Sequence, residues 1–272
     1  MSSWEDIDFT TIKEDILKYD KKNSESYHSR YSIGKCFEYG KVIIEFNKGL
    51  KISDEELDEE ANKIIKLRGP NLLRFLGFKR DGEDLYVLYE NAKNGPLKKM
   101  SEFKTDWMSS DKKMKITKGI ARGLNELHKN KIIHRNLTLD CIFVDANDVP
   151  KISNYCFAEK IAEKKNKCMI CRDAIEYITS GIILEQKYSE ESDMHALGVL
   201  IAKLFKGGER FKPEMNSWDY CFAILDESIS YDGLNSEINE LIDLCKIFDA
   251  RGIIETIESL KDQSESDDAI QC

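Results

Sequence analysis

The hydrophobic residues of this chain change their spacing part-way along it, and this change constrains the fold more than any other feature. Short segments rich in Tyr, Ile, Val and Phe predict β-strands at residues 31–37, 41–47, 72–79 and 85–90. The last two flank Asp81-Gly82, a pair typical of hairpin turns. After residue 109 the apolar residues recur at helical spacing. The sequence therefore predicts an α+β protein of two lobes, a small strand-rich N-lobe and a larger helical C-lobe.

One helix is predicted within the N-lobe. Ser53 is a candidate N-cap, and Glu56 three residues later completes a capping box. Apolar residues at helical spacing carry the helix to about Leu67, and Gly69-Pro70 ends it.

Composition excludes several classes of function. The 272 residues carry a formal charge of -9, which repels nucleic acid and anionic lipid surfaces. No segment has the roughly 18 apolar residues that a spanning helix needs. We therefore expect a protein without nucleic-acid or membrane partners. The eight cysteines are scattered, and Cys168 and Cys171 form a single C-x-x-C that we interpret as loop residues and not a metal site.

Five features, in the right order along the chain, resemble motifs of one enzyme family, the protein kinases; one of them is Glu60, ten residues before Pro70. Residues 132–145, IIHRNLTLDCIFVD, resemble the catalytic loop H-R-D-L-x-x-x-N and its following strand. Residues 151–158, KISNYCFA, stand where kinases have K-I-x-D-F-G-L-A, and residues 41–46, KVIIEF, where they have V-A-I-K. Residues 188–201 resemble the kinase helix that carries a buried aspartate. The resemblance covers residues 27–260 and implies a two-lobed kinase fold.

Five positions depart from the chemistry that this resemblance implies. Phosphoryl transfer uses a lysine for the phosphates, an aspartate for the substrate hydroxyl, and an aspartate with an asparagine for magnesium. Those four positions hold Glu45, Asn136, Asn154 and Cys141 respectively, and Thr138 replaces a second lysine. No glycine occurs before residue 34, so the glycine-rich loop is also missing. We therefore predict a pseudokinase that is not an enzyme and that uses no cofactor or metal.

Other kinase positions are retained. His134 and Arg135 of the catalytic loop and Asp193 of the buried helix match the family, and these residues support the fold. Glu60 stands at the usual helix glutamate, although a solvated helix residue is an alternative because Glu45 replaces its lysine partner. Tyr89 stands at the gatekeeper position, with an ordinary core residue as the alternative.

The sequence also allows a division into segments. We predict a leader at residues 1–26, a kinase-like domain at 27–260 with lobes of about 27–92 and 93–260, and an acidic tail at 261–272. Ser180-Gly181 stands where kinases carry Pro-Glu, which leaves Arg251 as the candidate partner of the missing glutamate.

Within the kinases, the chain resembles the mixed lineage kinase domain-like family. The segments that carry this resemblance are residues 30–45, 69–78 and 236–260. Residues 158–178 contain no serine or threonine, so the activation loop offers no phosphoacceptor before Thr179. Truncated poxvirus members of that family are understood to sequester receptor-interacting protein kinase three and block necroptosis in the host cytoplasm. The resemblance implies that function here, and a generic scaffold or a residual nucleotide-binding enzyme are the alternatives.

Overall fold

The computed structural model describes residues 30–36, 39–49, 52–101, 108–156, 175–185, 187–206, 217–225 and 233–259. These residues form a lobe built on an antiparallel sheet with one helix, followed by a lobe built mainly of helices. The predicted α+β class and two-lobed architecture are confirmed. The predictions for the leader, the acidic tail, Cys168, Cys171 and most of the activation loop fall outside the described residues.

The N-lobe sheet positions the first candidate site residue. Its strands are β1 (Arg30–Cys36), β2 (Gly40–Asn47), β3 (Phe75–Asp81) and β4 (Asp84–Glu90), in the spatial order β1-β2-β4-β3. Alternate residues of a strand point to opposite faces. Val42 and Ile44 therefore pack in a cluster on one face, while Ile43 packs in the main core that the sheet shares with the C-lobe. Glu45 lies on the face of Ile43, so its carboxylate points toward the interior.

Helix α1 (Asp54–Ile64) begins as the sequence predicts. The Ser53 hydroxyl accepts from the Glu56 amide, and the Glu56 carboxylate accepts from the Ser53 amide. The helix ends at Ile64, three residues before the predicted end, because the Leu67 amide bonds to the Ile64 carbonyl in a tighter turn. The apolar residues Ile65 and Leu67 continue the helical spacing, which is why the pattern overestimated its length.

The predicted strand at residues 72–79 starts too early. The structure begins β3 at Phe75, because the preceding residues pair with the other lobe. The Leu73 amide donates to the Ile152 carbonyl at 2.8 Å, and the Ile152 amide donates to the Asn71 carbonyl at 2.9 Å. This segment therefore joins the two lobes. Gly123 faces it, and a Cβ there would lie 2.6 Å from the Asn71 carbonyl oxygen, so the close approach requires glycine.

The C-lobe consists mainly of helices around one central helix. The helices are α2 (Leu97–Ser101), α3 (Ser110–Lys129), α4 (Ser180–Glu185), α5 (Glu190–Lys206), α6 (Ser217–Leu225), α7 (Ser236–Lys246) and α8 (250–259). Three short strands, β5 (Gly95–Pro96), β6 (Ile142–Val144) and β7 (Pro150–Ile152), form a second sheet beside the lobe junction. Helix α5 is buried on most sides and contacts both α3 and α7.

His195 on this central helix makes stability depend on pH. Burial lowers the pKa of His195 from 6.5 to about 4, so the folded protein holds it neutral. Between those values the unfolded chain binds a proton that the folded chain does not. The resulting stability is complete above pH 6.5 and is lost as pH falls toward 4, by about 3 kcal/mol. Denaturant titrations at several pH values check this, and His195→Gln should have a shallower dependence. An unchanged dependence in that variant would contradict the assignment.

Candidate functional site

Three of the substituted kinase positions meet around one cysteine. Cys141 ends the 3-10 turn Leu139–Cys141 that precedes β6. Its thiol donates to the Asn136 carbonyl at 3.1 Å and accepts from the Asn154 side-chain amide at 3.6 Å. The Thr138 hydroxyl lies 3.5 Å from the same sulfur. The residues at the base and metal positions therefore bond to one another.

The chemistry of this group does not fit a magnesium ion. Burial raises the pKa of the Cys141 thiol to about 11, so it stays protonated at neutral pH. A neutral thiol is a poor ligand for Mg²⁺, which prefers carboxylate and other oxygen ligands. Asn136 and Asn154 bring amides to the positions where kinases have carboxylates. An amide is not a base at neutral pH, so Asn136 has no capacity to accept a substrate proton.

Glu45 is fully buried, and two uncharged donors bond to its side chain. Its carboxylate accepts from the Asn47 amide at 2.8 Å and from the Tyr89 hydroxyl at 3.0 Å. Burial raises the pKa of Tyr89, which keeps the phenol protonated and able to donate. The side chain of Glu60 is mostly buried, and it forms an ion pair with Lys63 on its own helix. A carboxylate thus occupies the position from which kinases contact phosphates with a lysine.

Tyr31 bridges the two lobes, a position that sequence reasoning missed. Tyr31 lies opposite Glu45 in the β1–β2 register. Its ring meets the Phe143 ring of β6 edge-on, with centroids 4.9 Å apart, and its hydroxyl lies 3.0 Å from the Ser153 hydroxyl. The Ser153 hydroxyl donates to the Cys141 carbonyl, so the Tyr31 hydroxyl is the donor between them. Burial raises the pKa of Tyr31 and keeps it protonated.

The Tyr31 ring therefore lies in the cleft between the lobes, where protein kinases bind ATP. Two features could have indicated this position. Tyr31 faces the same side of the sheet as Glu45, and Phe143 places a second aromatic ring in the strand after the catalytic loop. Neither signal alone distinguishes a bridge from ordinary packing, because aromatic residues are common in strands.

A second tyrosine also joins the lobes. Tyr155, which follows Asn154, donates from its hydroxyl to the Leu73 carbonyl at 2.8 Å. Its ring lies edge-on to that of Tyr89, with centroids 6.2 Å apart, and Tyr89 meets Phe75 in the same manner at 6.5 Å. An aromatic column therefore runs through the core beside the substituted positions. Such pairs add about 0.5–1.5 kcal/mol each beyond their burial.

The retained residues form a buried hub below the cleft. Asp193 accepts from the His134 amide at 2.7 Å, the Arg135 amide at 2.8 Å and the His128 ring at 3.0 Å. Burial lowers the pKa of His134, so its ring is neutral. Its Nε2 then donates to the Ser153 carbonyl at 2.7 Å. Arg135 has a φ of 67°, a conformation that the Asp193 bonds hold in place.

Arg251 was predicted to lack its usual glutamate partner, and the structure places it in a pair within its own helix. Arg251 is highly exposed and bonds to Glu255 one turn along α8 at 2.8 Å. A different ion pair, which is buried, lies close in sequence to Ser180-Gly181, where kinases carry the missing glutamate. Glu176, in the 3-10 turn Ile175–Tyr177, forms an ion pair with Lys203 of α5, and both side chains are almost fully buried.

Comparison with known proteins supports the kinase resemblance. Residues 38–252 match the model of the protein tyrosine and serine/threonine kinase family. The chain is 25% identical over 81% of its length to a protein of Arabidopsis thaliana. That relative is named "Probably inactive leucine-rich repeat receptor-like protein kinase". It is 30% identical over 72% of its length to a G-type lectin S-receptor-like serine/threonine-protein kinase of the same plant. A RasGEF domain-containing serine/threonine-protein kinase of Dictyostelium discoideum is 27% identical over 70% of the chain.

The two-lobed fold, the assembled kinase positions and this match agree, and the chain belongs to the protein kinase family. The chain covers 27% of the length of the leucine-rich repeat relative and 25% of the length of the G-type lectin relative. It covers 20% of the length of the Dictyostelium relative. The prediction that the chain is not an enzyme is contradicted by the comparisons. The family is one of kinases, and relatives carry the name serine/threonine-protein kinase.

Within the described ranges, no group of His, Cys, Asp and Glu is arranged to hold a metal ion. No helix in the same ranges is long and apolar enough to cross a membrane.

Proposed function

We propose that this kinase-family domain acts by binding and sequestering a second protein kinase. The observation that carries the proposal is a pair of exposed apolar side chains on two adjacent helices of the C-lobe. Leu184 on α4 is 71% exposed and Phe222 on α6 is 62% exposed. We call these two residues the apolar pair. Large exposed apolar residues on neighbouring helices are a feature of protein-binding surfaces.

The helices beneath the apolar pair form one rigid support. Ile182 of α4 and Tyr220 and Cys221 of α6 pack in the same buried cluster, together with Ile175 and Ile178. Helices α4 and α6 contact each other directly. A surface presented by packed helices binds with a smaller entropic loss than one presented by a flexible segment.

The particular partner in this proposal comes from the family resemblance. The resemblance to the mixed lineage kinase domain-like family implies that the partner is receptor-interacting protein kinase three, and that sequestration inhibits necroptosis. It also implies a viral protein that acts in the cytoplasm of its host cell by mimicry. Because a fold hosts many functions, the partner is the part of this proposal that most needs a direct test.

The test is co-precipitation of the full chain with the kinase domain of receptor-interacting protein kinase three from mammalian cells. We expect capture by the wild-type chain and a loss of about tenfold or more in capture by Leu184→Asp and Phe222→Asp, since a charge at the centre of an interface costs about 2 kcal/mol or more. Ile247→Asp is the matched control, because Ile247 is 68% exposed and follows α7.

The outcomes separate the alternatives. Capture of this kinase with protection of cells from necroptosis supports the whole proposal. Capture of a different kinase or an adaptor in an unbiased pull-down, lost in the same variants, would replace it with the scaffold alternative. Equal capture by wild type and both apolar-pair variants would remove that pair from the interface.

A second candidate function is phosphoryl transfer, favoured by the family match and by the relatives named as serine/threonine-protein kinases. It would require a route that does not depend on Asn136, Cys141 or Asn154 in their usual roles. Incubation of the purified chain with γ-labelled ATP and Mg²⁺ or Mn²⁺ tests it. Label on the chain or on a generic protein substrate supports this candidate. Absence of label and of any ATP-induced thermal shift would remove it.

A further inference from the structure

Two neighbouring cavities lie on the outside of the lobe junction. The first has a volume of about 570 Å³ and lies between the end of α1 and the segment that follows α3. The second has a volume of about 430 Å³ and extends toward β4 and β7. Leu67 and Arg68 line both cavities, so the two are continuous around Arg68. We call this pair of cavities the basic groove.

The charge of the basic groove is opposite to that of the whole chain. Seven of its lining residues are Lys or Arg, and three are Glu, whereas the chain has a formal charge of -9. The three glutamates already bond to other groups. Glu90 pairs with Arg74 and Lys151, Glu60 pairs with Lys63, and Glu126 accepts from the Asn130 amide. The positive charge that remains would attract an anion.

Two of the basic residues have no carboxylate partner among the residues that the structure describes. These are Lys66 and Lys131, which are both exposed and line the first cavity. Arg68 lies between the two cavities, and one nitrogen of its guanidinium donates to the backbone carbonyls of Ile65 and Leu67. These bonds fix the guanidinium without cancelling its charge. Its remaining N–H groups are available in the fork geometry that suits phosphate.

The backbone at Lys131 provides an independent observation. Helix α3 ends in a Schellman motif, in which the Lys131 amide bonds to the His128 carbonyl at 2.8 Å and the Ile132 amide bonds to the Leu127 carbonyl at 3.0 Å. The first residue after the cap of this motif has a positive φ and is usually glycine. Lys131 occupies that position with a φ of 59°. A lysine there costs about 1 kcal/mol relative to glycine, which is explicable if its side chain has a role.

We propose that the basic groove binds a phosphomonoester carried on an acidic peptide segment of a partner protein, through Arg68, Lys66 and Lys131. A dianionic phosphate matches three cationic groups better than a single carboxylate does. Adjacent acidic residues of the peptide would lie along the second cavity, where Arg74 and Lys151 share the single carboxylate of Glu90 and leave a net positive charge. This site shares no residue with the apolar pair, and the proposal does not depend on the partner assigned to that pair.

The test uses fluorescence polarisation with the full chain. The probe is a labelled peptide with one phosphoserine between aspartates, compared with the same peptide without phosphate and with inorganic phosphate as competitor. We expect the phosphopeptide to bind about tenfold tighter than the unphosphorylated peptide, with the difference shrinking at high salt. Equal affinity for the two peptides would overturn the proposal. Inorganic phosphate binding as tightly as the phosphopeptide would overturn the assignment to a peptide.

Lys131→Gly separates a binding role from a structural one. This substitution removes the charge and relieves the positive φ, so the melting temperature should stay the same or rise while phosphopeptide affinity falls about fivefold to tenfold. Phe248→Gly is the matched control, because Phe248 has a φ of 62° in the same motif at the end of α7 and lies outside the groove. It should leave affinity unchanged. A Lys131→Gly variant with wild-type affinity would overturn the proposal.

Discussion

Replacement of Tyr31 by alanine is expected to lower the free energy of unfolding by about 3 kcal/mol, as for other large aromatic residues that pack against a core. The ring packs against Phe143 and its hydroxyl bonds to Ser153, so the substitution removes a contact that joins the lobes. Chemical denaturation of the purified chain measures the change.

Two further variants divide this effect. Tyr31→Phe keeps the ring and loses only the hydrogen bond, so it should cost about 1 kcal/mol. Tyr39→Ala removes an exposed tyrosine that follows β1 and should change stability by less than about 0.5 kcal/mol. Tyr31→Ala with the stability of wild type would show that the bridge does not hold the lobes together.

The same variant has a second readout in ligand binding. Removing the ring leaves space between β1 and β6 in the cleft, so adenosine should bind Tyr31→Ala more tightly than wild type. Adenosine is the suitable probe because it lacks the phosphates that the Glu45 carboxylate would repel. A titration that finds equal affinity in both proteins would mean that Tyr31 does not occupy the adenosine-binding part of the cleft.

Replacement of Lys203 by methionine is expected to destabilise the C-lobe by about 3–5 kcal/mol. The side chains of Lys203 and Glu176 are only 8% and 2% exposed, so loss of one charge leaves the other buried without its ion-pair partner. Thermal and denaturant unfolding of the variant measure the loss.

A double variant tests the reason for that loss. Lys203→Met combined with Glu176→Leu removes both charges and should be about 2 kcal/mol or more less destabilised than Lys203→Met alone. Lys246→Met is the control, since Lys246 and Asp243 form an exposed pair on α7 whose contribution is below about 1 kcal/mol. If the double variant is less stable than the single one, the ion pair is not the source of the effect.

Several features were predictable because their causes are local. The capping box of Ser53 and Glu56 acts over three residues, and the β3–β4 hairpin depends on the turn at Asp81-Gly82. The helical spacing after residue 109 predicted α3 directly. The substituted positions at Glu45, Asn136, Cys141 and Asn154 were readable because they lie within recognisable motifs.

Other features depended on contacts between distant parts of the chain. The end of α1 was predicted too late because Ile65 and Leu67 continue its apolar pattern into a turn. The Leu72–Leu73 segment was predicted as part of a strand in the N-lobe sheet, whereas it pairs with β7 of the other lobe.

The sequence by itself determined the α+β class, the kinase family and the positions where its usual catalytic residues are replaced, since motifs and hydrophobic periods are properties of short segments. Only the tertiary structure decided that Tyr31 reaches Ser153, 122 positions along the chain, and that Glu176 pairs with Lys203. The basic groove around Arg68 was also decided only by the tertiary structure. Each of these depends on how separate elements pack, and a residue type at one position does not reveal which distant side chain it will meet.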